Sequence, residues 1–369
     1  MLYYLSELLQ SYWGPFRLLQ SHVLLLAGGT ATAALLVWYL MPKLWGRLPR
    51  DRGKVLCKDM DGLASAGKPT GAGLIVTLLA LPILLLFAPL PLWDLAALGG
   101  VYAAMVTGYL DDRAATPWGE GRKLVLDIFV SLVIAVCLFM GHAESTGTDG
   151  TLRMITWLPF VKDQWLVPFW LYTPVATLVI LFTLNATNCS DGVDGLAGSL
   201  TVITLVLVSV ILYIVVGYRP VAHYFLIPCY AQAARWAIVS MTIAGAFGGY
   251  LWYNANPSEV LMGDAGSRFL GALVATASLM TGNPFLILAL APVVLVNGGG
   301  GLVKLLLLRF AKKIGRDIDE TSVIRRVRFP LHDHCKKNRH WSNGQVLLRF
   351  VLLQLVVMPV LLLVLLKVR

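Results

Sequence analysis

Charge is what this sequence lacks most. Asp, Glu, Lys and Arg make up 14% of its 369 residues, against 57% hydrophobic residues and a mean hydropathy of +0.73. That balance excludes an ordinary soluble globular domain and indicates a polytopic membrane protein. Cysteine is scarce as well. Cys57, Cys137, Cys189, Cys229 and Cys335 are scattered, with no C-x-x-C pair, which excludes a disulfide framework and a cysteine zinc site. The first strong apolar run, from near Ser21, lacks a basic leader, a short apolar stretch and a small-residue cleavage site. It therefore reads as a retained helix, not a removable signal.

What is present is a series of long apolar runs. A bilayer-crossing helix needs about 20 mostly apolar residues. Such runs occupy roughly 21–42, 70–90, 92–110, 124–141, 167–185, 195–217, 232–252, 266–281, 284–308 and 344–366. The expected fold is thus an all-α membrane protein of about ten transmembrane helices, forming one catalytic membrane domain over residues 1–369. Residues 1–20, with Tyr3, Tyr4, Trp13 and Phe16, read as an interfacial segment. The basic residues fall in the loop after the first span (Lys43, Arg47, Arg50, Arg52, Lys54, Lys58, Lys68) and in the stretch 309–343 after the ninth. By the positive-inside rule these loops face the cytoplasm and both termini face the periplasm. The basic loops also suit anionic lipid headgroups, and no nucleic acid is expected as a partner.

This topology gathers four polar clusters on the cytoplasmic face. Asp111-Asp112 ends the third span, where two carboxylates meet each other and the negative end of a helix dipole, so a cation or a basic substrate contact would relieve both. After the fifth span comes a polar island running from Asn185 to Gly198, with Asn188, Asp191, Gly192, Asp194 and Gly195. Asp191 and Asp194 alone also read as a capping box for the next helix. The asparagines and glycines around them suit a backbone that approaches a phosphate or nucleotide closely. Asn254 and Asp264 flank the turn before the eighth span, and Asp264 also reads as a helix N-cap. His332-Asp333-His334 lies in the last basic loop, suited to phosphate or sugar hydroxyls. Magnesium, which takes one or two carboxylates together with substrate phosphates, is the metal these groups would favour. Lys123, opening the fourth span, pairs either with a diphosphate or with Asp127 at i+4. Lys68-Pro69-Thr70-Gly71 opens the second span.

In this order the motifs resemble phospho-N-acetylmuramoyl-pentapeptide transferases, of the polyprenyl-phosphate hexose-1-phosphate transferase superfamily. They are Asp111-Asp112, the run Asn185 to Ala197, Met262-Gly263-Asp264 with Gly266-Ser267, and Pro330-Leu331-His332 with His334 and Trp341. The resemblance runs nearly end to end. It implies transfer of phospho-MurNAc-pentapeptide from UDP-MurNAc-pentapeptide to undecaprenyl phosphate in the bacterial inner membrane, giving lipid I and UMP, with magnesium required. It implies a homodimer among membrane lipids. By motif position, Asp264 would be the metal-linked carboxylate, with Asp191 as a second. Asp111 and Asp112 would handle the lipid phosphate, Lys123 would answer the diphosphate, and Asp191 would position or activate the reacting group. Asn188, Gly192, Asp194 and Asn254 would border the nucleotide, with Asn185 and Thr70 also binding substrate and His332 and His334 facing the sugar-peptide side.

The pattern departs from the family at Asp333, within its histidine triplet, at Asn297 in place of an acidic residue, and at Leu261 in place of a phenylalanine. Ser65 stands where a lysine is usual, with Lys68 nearby, and the loop from Asp111 to Lys123 is short. The first alternative is a related transferase using another UDP-sugar, such as UDP-GlcNAc. The second is an ion-coupled transporter, which would place ionisable groups near the bilayer midplane and repeat its halves. No repeat is evident. Only Asp127 and Lys304 are expected within spans, both near the cytoplasmic end.

Overall fold

The computed structural model describes residues 1–51, 66–114, 116, 118–145, 151–314 and 326–367. Arg52, Lys54, Lys58, Ser65, Arg316 and Arg325 lie outside the described residues. In chain order the chain forms α1 (Leu2–Leu9), a 3-10 turn (Gly14–Gln20), α2 (His22–Leu44), a second 3-10 turn (Trp45–Arg47), α3 (Ala72–Phe87), α4 (Leu92–Arg113) and α5 (Glu120–His142). Three short strands follow, β1 (Glu144–Ser145), β2 (Leu152–Thr156) and β3 (Trp165–Pro168), then α6 (Phe169–Ser190), α7 (Leu196–Val210) with a π-helical end (Ile211–Val215), α8 (Arg219–Tyr224), α9 (Ala233–Asn254) and α10 (Gly263–Leu279). A broken segment comes next: α11 (Ile287–Leu290), α12 (Pro292–Val294), a π-helical turn (Leu295–Gly299) and α13 (Gly300–Lys313). Finally come α14 (Leu331–Arg339) and α15 (Asn343–Lys367).

Each expected span coincides with helix, and among the described residues six helices are long and apolar enough to cross a membrane. They are His22–Arg47, Glu120–His142, Phe169–Ser190, Leu196–Val215, Pro292–Lys313 and Asn343–Leu366, with Ala72–Phe87 apolar but shorter. The protein is therefore a multi-pass, mainly helical membrane protein. Helices α9 and α10, the latter only 17 residues long, are not among those six, and both are largely buried. Every residue from Ala265 to Leu279 is buried, and small side chains replace the leucines that a lipid-facing surface would carry. Helix α10 is the hub, packed against α3, α4, α6 and α7. It meets α3 so closely that a Cβ on Gly73 would lie 2.1 Å from the Gly266 Cα.

Four local expectations change. The neutral loop between the fourth and fifth spans holds a small antiparallel sheet in the order β1-β2-β3, with Arg153 opposite both Glu144 and Pro168. Its signal was the alternation in Leu152-Arg153-Met154-Ile155-Thr156, whose Met154 and Thr156 are buried. The polar island starts inside a helix, since α6 continues to Ser190 and carries Asn185 and Asn188 on its last turns. Thr187 and Ser190 extend it by donating their hydroxyls to the carbonyls of Thr183 and Ala186, at 2.8 Å each. His332-Asp333-His334 is the first turn of α14 instead of loop. Pro330 precedes the helix, Asp333 sits at its positive end, and Lys336, Lys337 and Arg339 sit at its negative end. Ionisable groups within the spans also include Asp94 and Arg268, beyond Asp127 and Lys304.

The ninth span is interrupted at Ala291, where Pro292 cannot continue the hydrogen-bond ladder. Gln354 of α15 repairs the break. Its carboxamide accepts from the Val293 N–H at 3.2 Å and donates to the Leu290 carbonyl at 3.2 Å and to the Thr204 hydroxyl at 2.9 Å. Gln354→Leu would leave the half-buried Val293 amide and the buried Thr204 hydroxyl without this partner, at a cost of about 1–3 kcal/mol. Thermal melting in detergent should show a lower midpoint for this variant, and an unchanged midpoint would remove Gln354 from this role.

Candidate active site

The site is built on helix ends. The last turn of α4 brings Asp112 to the start of α10, where its two carboxylate oxygens accept the N–H groups of Asp264 and Ala265, each at 3.1 Å. Asp112 thus caps a neighbouring helix and satisfies amides that have no partner within it. Gly263, at φ +72°, allows this approach, since a Cβ there would lie 2.5 Å from an Asp112 oxygen. Asp264 occupies the first turn of α10, so its N-cap reading gives way to a side chain free to face outward while Asp112 does the capping.

Lys123 of α5 reaches across to both neighbouring carboxylates. It is ion-paired with Asp111 and lies 3.5 Å from Asp264. Asp111 also accepts the Trp118 N–H at 2.8 Å, which closes the short turn before α5. The Asp111 carboxyl group and the Asn188 carboxamide both act on the ionisation of Asp264. Asn188 is held in turn by the Ser267 hydroxyl at 3.1 Å. Burial opposes ionisation of Asp111, but Lys123 and the Trp118 amide outweigh it and hold the carboxyl below its ordinary pKa. Burial, helped by the charge of Asp264, pushes Asp112 up to about 7 despite its two backbone donors. Burial and Asp111 also raise Asp264, against the pull of Lys123. Two carboxylates share the Lys123 ammonium, with Asp112 close behind them, an arrangement of oxygen donors that could hold a divalent cation.

A second group surrounds the loop between α6 and α7. The capping box expected from Asp191 and Asp194 gives way to a glycine N-cap: Asp191 follows the last residue of α6, and Gly195, in the left-handed region, precedes α7. Asp194 instead accepts the Ser258 N–H at 3.1 Å and lies 4.0 Å from Lys68, whose ammonium donates to the Ser258 hydroxyl at 3.1 Å. Asn254 is buried, accepting the Gly195 N–H at 2.9 Å and donating to the Val260 carbonyl at 2.8 Å. Its carboxamide is therefore spent on the protein. Thr70 is tied in through the backbone, its N–H donating to Pro49, while the Pro69–Gly73 stretch pairs with Leu261 and Met262 alongside.

The third group joins α14 to this loop. Gly192 packs against the His332 ring so tightly that a Cβ would lie 2.3 Å from Nε2. Asn297, on the π-helical turn, accepts the His332 N–H at 2.9 Å and lies 3.2 Å from its Nδ1. The backbone donor requires the Asn297 oxygen at that position, so Nδ1 is the protonated ring nitrogen and Nε2 faces the loop. His334 accepts the Arg328 N–H through Nδ1 at 3.3 Å, which folds the approach to α14.

Some functional geometry escaped sequence reading. Asn297 stood out only as a departure, yet it orients His332 as a carboxylate would. Ser267 was quoted within a motif, but its hold on Asn188 needs α6 and α10 to be adjacent. Asp127 sits at i+4 from Lys123, but its partner is Arg268 of α10.

The glycosyl transferase family 4 model matches residues 95–282, just over half of the chain, and takes in Asp111, Asp112, Lys123, the loop between α6 and α7, Asn254 and Asp264, while Lys68, Thr70, Asn297 and α14 lie outside it. The phospho-N-acetylmuramoyl-pentapeptide-transferase of Treponema pallidum subsp. pallidum is 42% identical over 355 residues, covering 95% of this chain and 93% of the relative. Proteins of the same name from Brachyspira hyodysenteriae and Desulfotalea psychrophila are 27% and 28% identical, each covering 96% of this chain and 97% of the relative. With its carboxylate cluster inside the matched region and similarity along nearly its whole length, the chain belongs to the phospho-N-acetylmuramoyl-pentapeptide-transferase family, within glycosyl transferase family 4.

Proposed function

We propose that this protein transfers phospho-MurNAc-pentapeptide from UDP-MurNAc-pentapeptide to undecaprenyl phosphate, releasing UMP and forming lipid I. The observation that carries the reading is Lys123, held between Asp111 and Asp264 at the capped start of α10. Phosphoryl transfer depends on positioning and charge neutralisation more than on covalent chemistry by the protein. Lys123 supplies a cation for the donor diphosphate. The N-terminus of α10, ordinarily an anion site, is already filled by Asp112, so phosphate binding falls to Lys123 and the loop between α6 and α7. Asp111, kept ionised by Lys123, is the charged acceptor nearest that ammonium. Ser267 holds Asn188 beside the start of α10, and His332 presents Nε2 from the far side of the loop.

Magnesium fits the donor set. It prefers oxygen ligands and takes few protein carboxylates, and here two carboxyl groups share one ammonium. Asp264 would hold the ion, with Asp191 on the adjoining loop. When bound it would supply Lewis-acid neutralisation of phosphoryl oxygens. The proposed topology has ten crossings with both termini outside, an interfacial segment over residues 1–20, and the site on the cytoplasmic face of the inner membrane. It is one domain, working as a homodimer among membrane lipids.

The test uses purified protein with undecaprenyl phosphate. UMP release from UDP-MurNAc-pentapeptide, dependent on magnesium and absent with UDP-GlcNAc, is the expected outcome. Release from UDP-GlcNAc alone would move the protein to another substrate.

A further inference from the structure

Helices α5 and α10 stand on either side of α4 and α6, each of which packs against both. Two rungs of side chains bridge α5 to α10. The upper rung joins Lys123 of α5 to Asp264 of α10 at 3.5 Å. Four residues further along each helix, about one turn, Asp127 of α5 is ion-paired with Arg268 of α10. The polarity is reversed between the rungs: α5 provides the cation above and the anion below. The lower rung is sealed, with side chains 3% and 1% exposed for Asp127 and Arg268. Asn185 of α6 adds a third strut, donating to the second Asp127 oxygen at 3.3 Å and to the Leu181 carbonyl at 2.9 Å.

Such a rung is a poor source of stability. Desolvating two charges offsets most of their attraction, and well-packed apolar residues often do as well. Two further Arg268 nitrogens, Nε and Nη1, have no hydrogen-bond partner among the described residues, which adds to the penalty. What the rung does provide is a fixed separation between three helices, one turn below the reacting carboxylates.

We propose that Arg268 is a positioning residue. By clamping Asp127, and through it Asn185, it fixes α5 and α6 against α10 and thereby sets the Lys123–Asp264 spacing. This rests on the transferase reading above, because the spacing matters only if Lys123 and Asp264 act on the same substrate.

The experiment compares wild type with the double variant Asp127→Leu/Arg268→Leu, in which neither charge is left unpaired. Melting temperature, kcat, KM for the UDP donor and the rate of Lys123 labelling by an amine-reactive reagent are measured. A positioning role predicts a melting temperature near wild type, a similar KM, kcat lower by about 10- to 100-fold, and Lys123 labelled several-fold faster. Wild-type kcat and labelling in the folded double variant would make the rung purely structural and overturn the proposal. Should the double variant fail to fold, Arg268→Gln is read by the same criteria, and wild-type kcat and labelling there would equally overturn it. Labelling needs no turnover. If wild type released no UMP, the transferase reading would fail while the labelling result still decided the role of Arg268.

Discussion

Asp264→Asn is expected to abolish UMP release while leaving the fold intact. The substitution preserves shape and hydrogen-bonding capacity but removes the charge that faces Lys123 and, in the proposed reaction, magnesium. The α10 N-terminus should survive it, because Asp112 bonds the backbone amides of Asp264 and Ala265 and takes nothing from the Asp264 side chain. Removing one centre of charge stabilisation from an active site costs about 10²- to 10³-fold in kcat. Melting temperature should change little or rise, since burial and the neighbouring Asp111 already oppose the charge on Asp264. Near-normal, magnesium-dependent turnover in this variant would show that the metal assignment is wrong.

Lys123→Gln carries the second large effect and has a pH signature. Lys123 holds the Asp111 carboxyl below its ordinary pKa against the opposing influence of burial. Without the ammonium, burial and the adjacent Asp264 are left to act, and the Asp111 pKa rises. The protonated form then persists to higher pH, so the acid limb of the pH–rate profile should move upward. At neutral pH kcat should fall by about 10²- to 10³-fold, and part of that loss should return as the pH is raised. A profile with an unmoved acid limb would separate Lys123 from the ionisation of Asp111. Loss of activity with a changed fold would be visible as a lowered melting temperature.

Much of this site could be read from residue types in order. Apolar length located the helices, and the acidic motifs supplied the carboxylates that α4 and α10 bring to Lys123. What could not be read were contacts between residues far apart in the chain. Asp112 looks like a second reactive carboxylate beside Asp111, yet 152 residues separate it from the amide it caps. The glycines of the loop between α6 and α7 suggested a phosphate cradle. Each has a packing reason: Gly192 lies against His332, Gly195 adopts φ +74° with its N–H given to Asn254, and Gly198 lies against Leu251. Asp127 pairs with Arg268 instead of Lys123 because Lys123 is drawn to the two carboxylates at its own level. Local spacing favoured one pair, and the neighbouring helix decided otherwise. Arg268 was missed among the ionisable groups within spans, although its isolation as a lone cation in the run 266–281 was the available signal.

The splice between the ninth span and Gln354 bears on the order in which the protein is made. Leaving the ribosome, the segment around Pro292 enters the bilayer with the Val293 amide unsatisfied, and its partner lies 61 residues downstream on the final helix. Hydrocarbon offers no substitute donor or acceptor. The native bend at Ala291, and with it the turn that presents Asn297 to His332, can therefore settle only after α15 has been inserted. Truncation just before α15 should yield a chain whose carboxylate cluster on α4, α5 and α10 is complete but whose His332 has lost its support. The support of His332 would thus be a late event of membrane insertion.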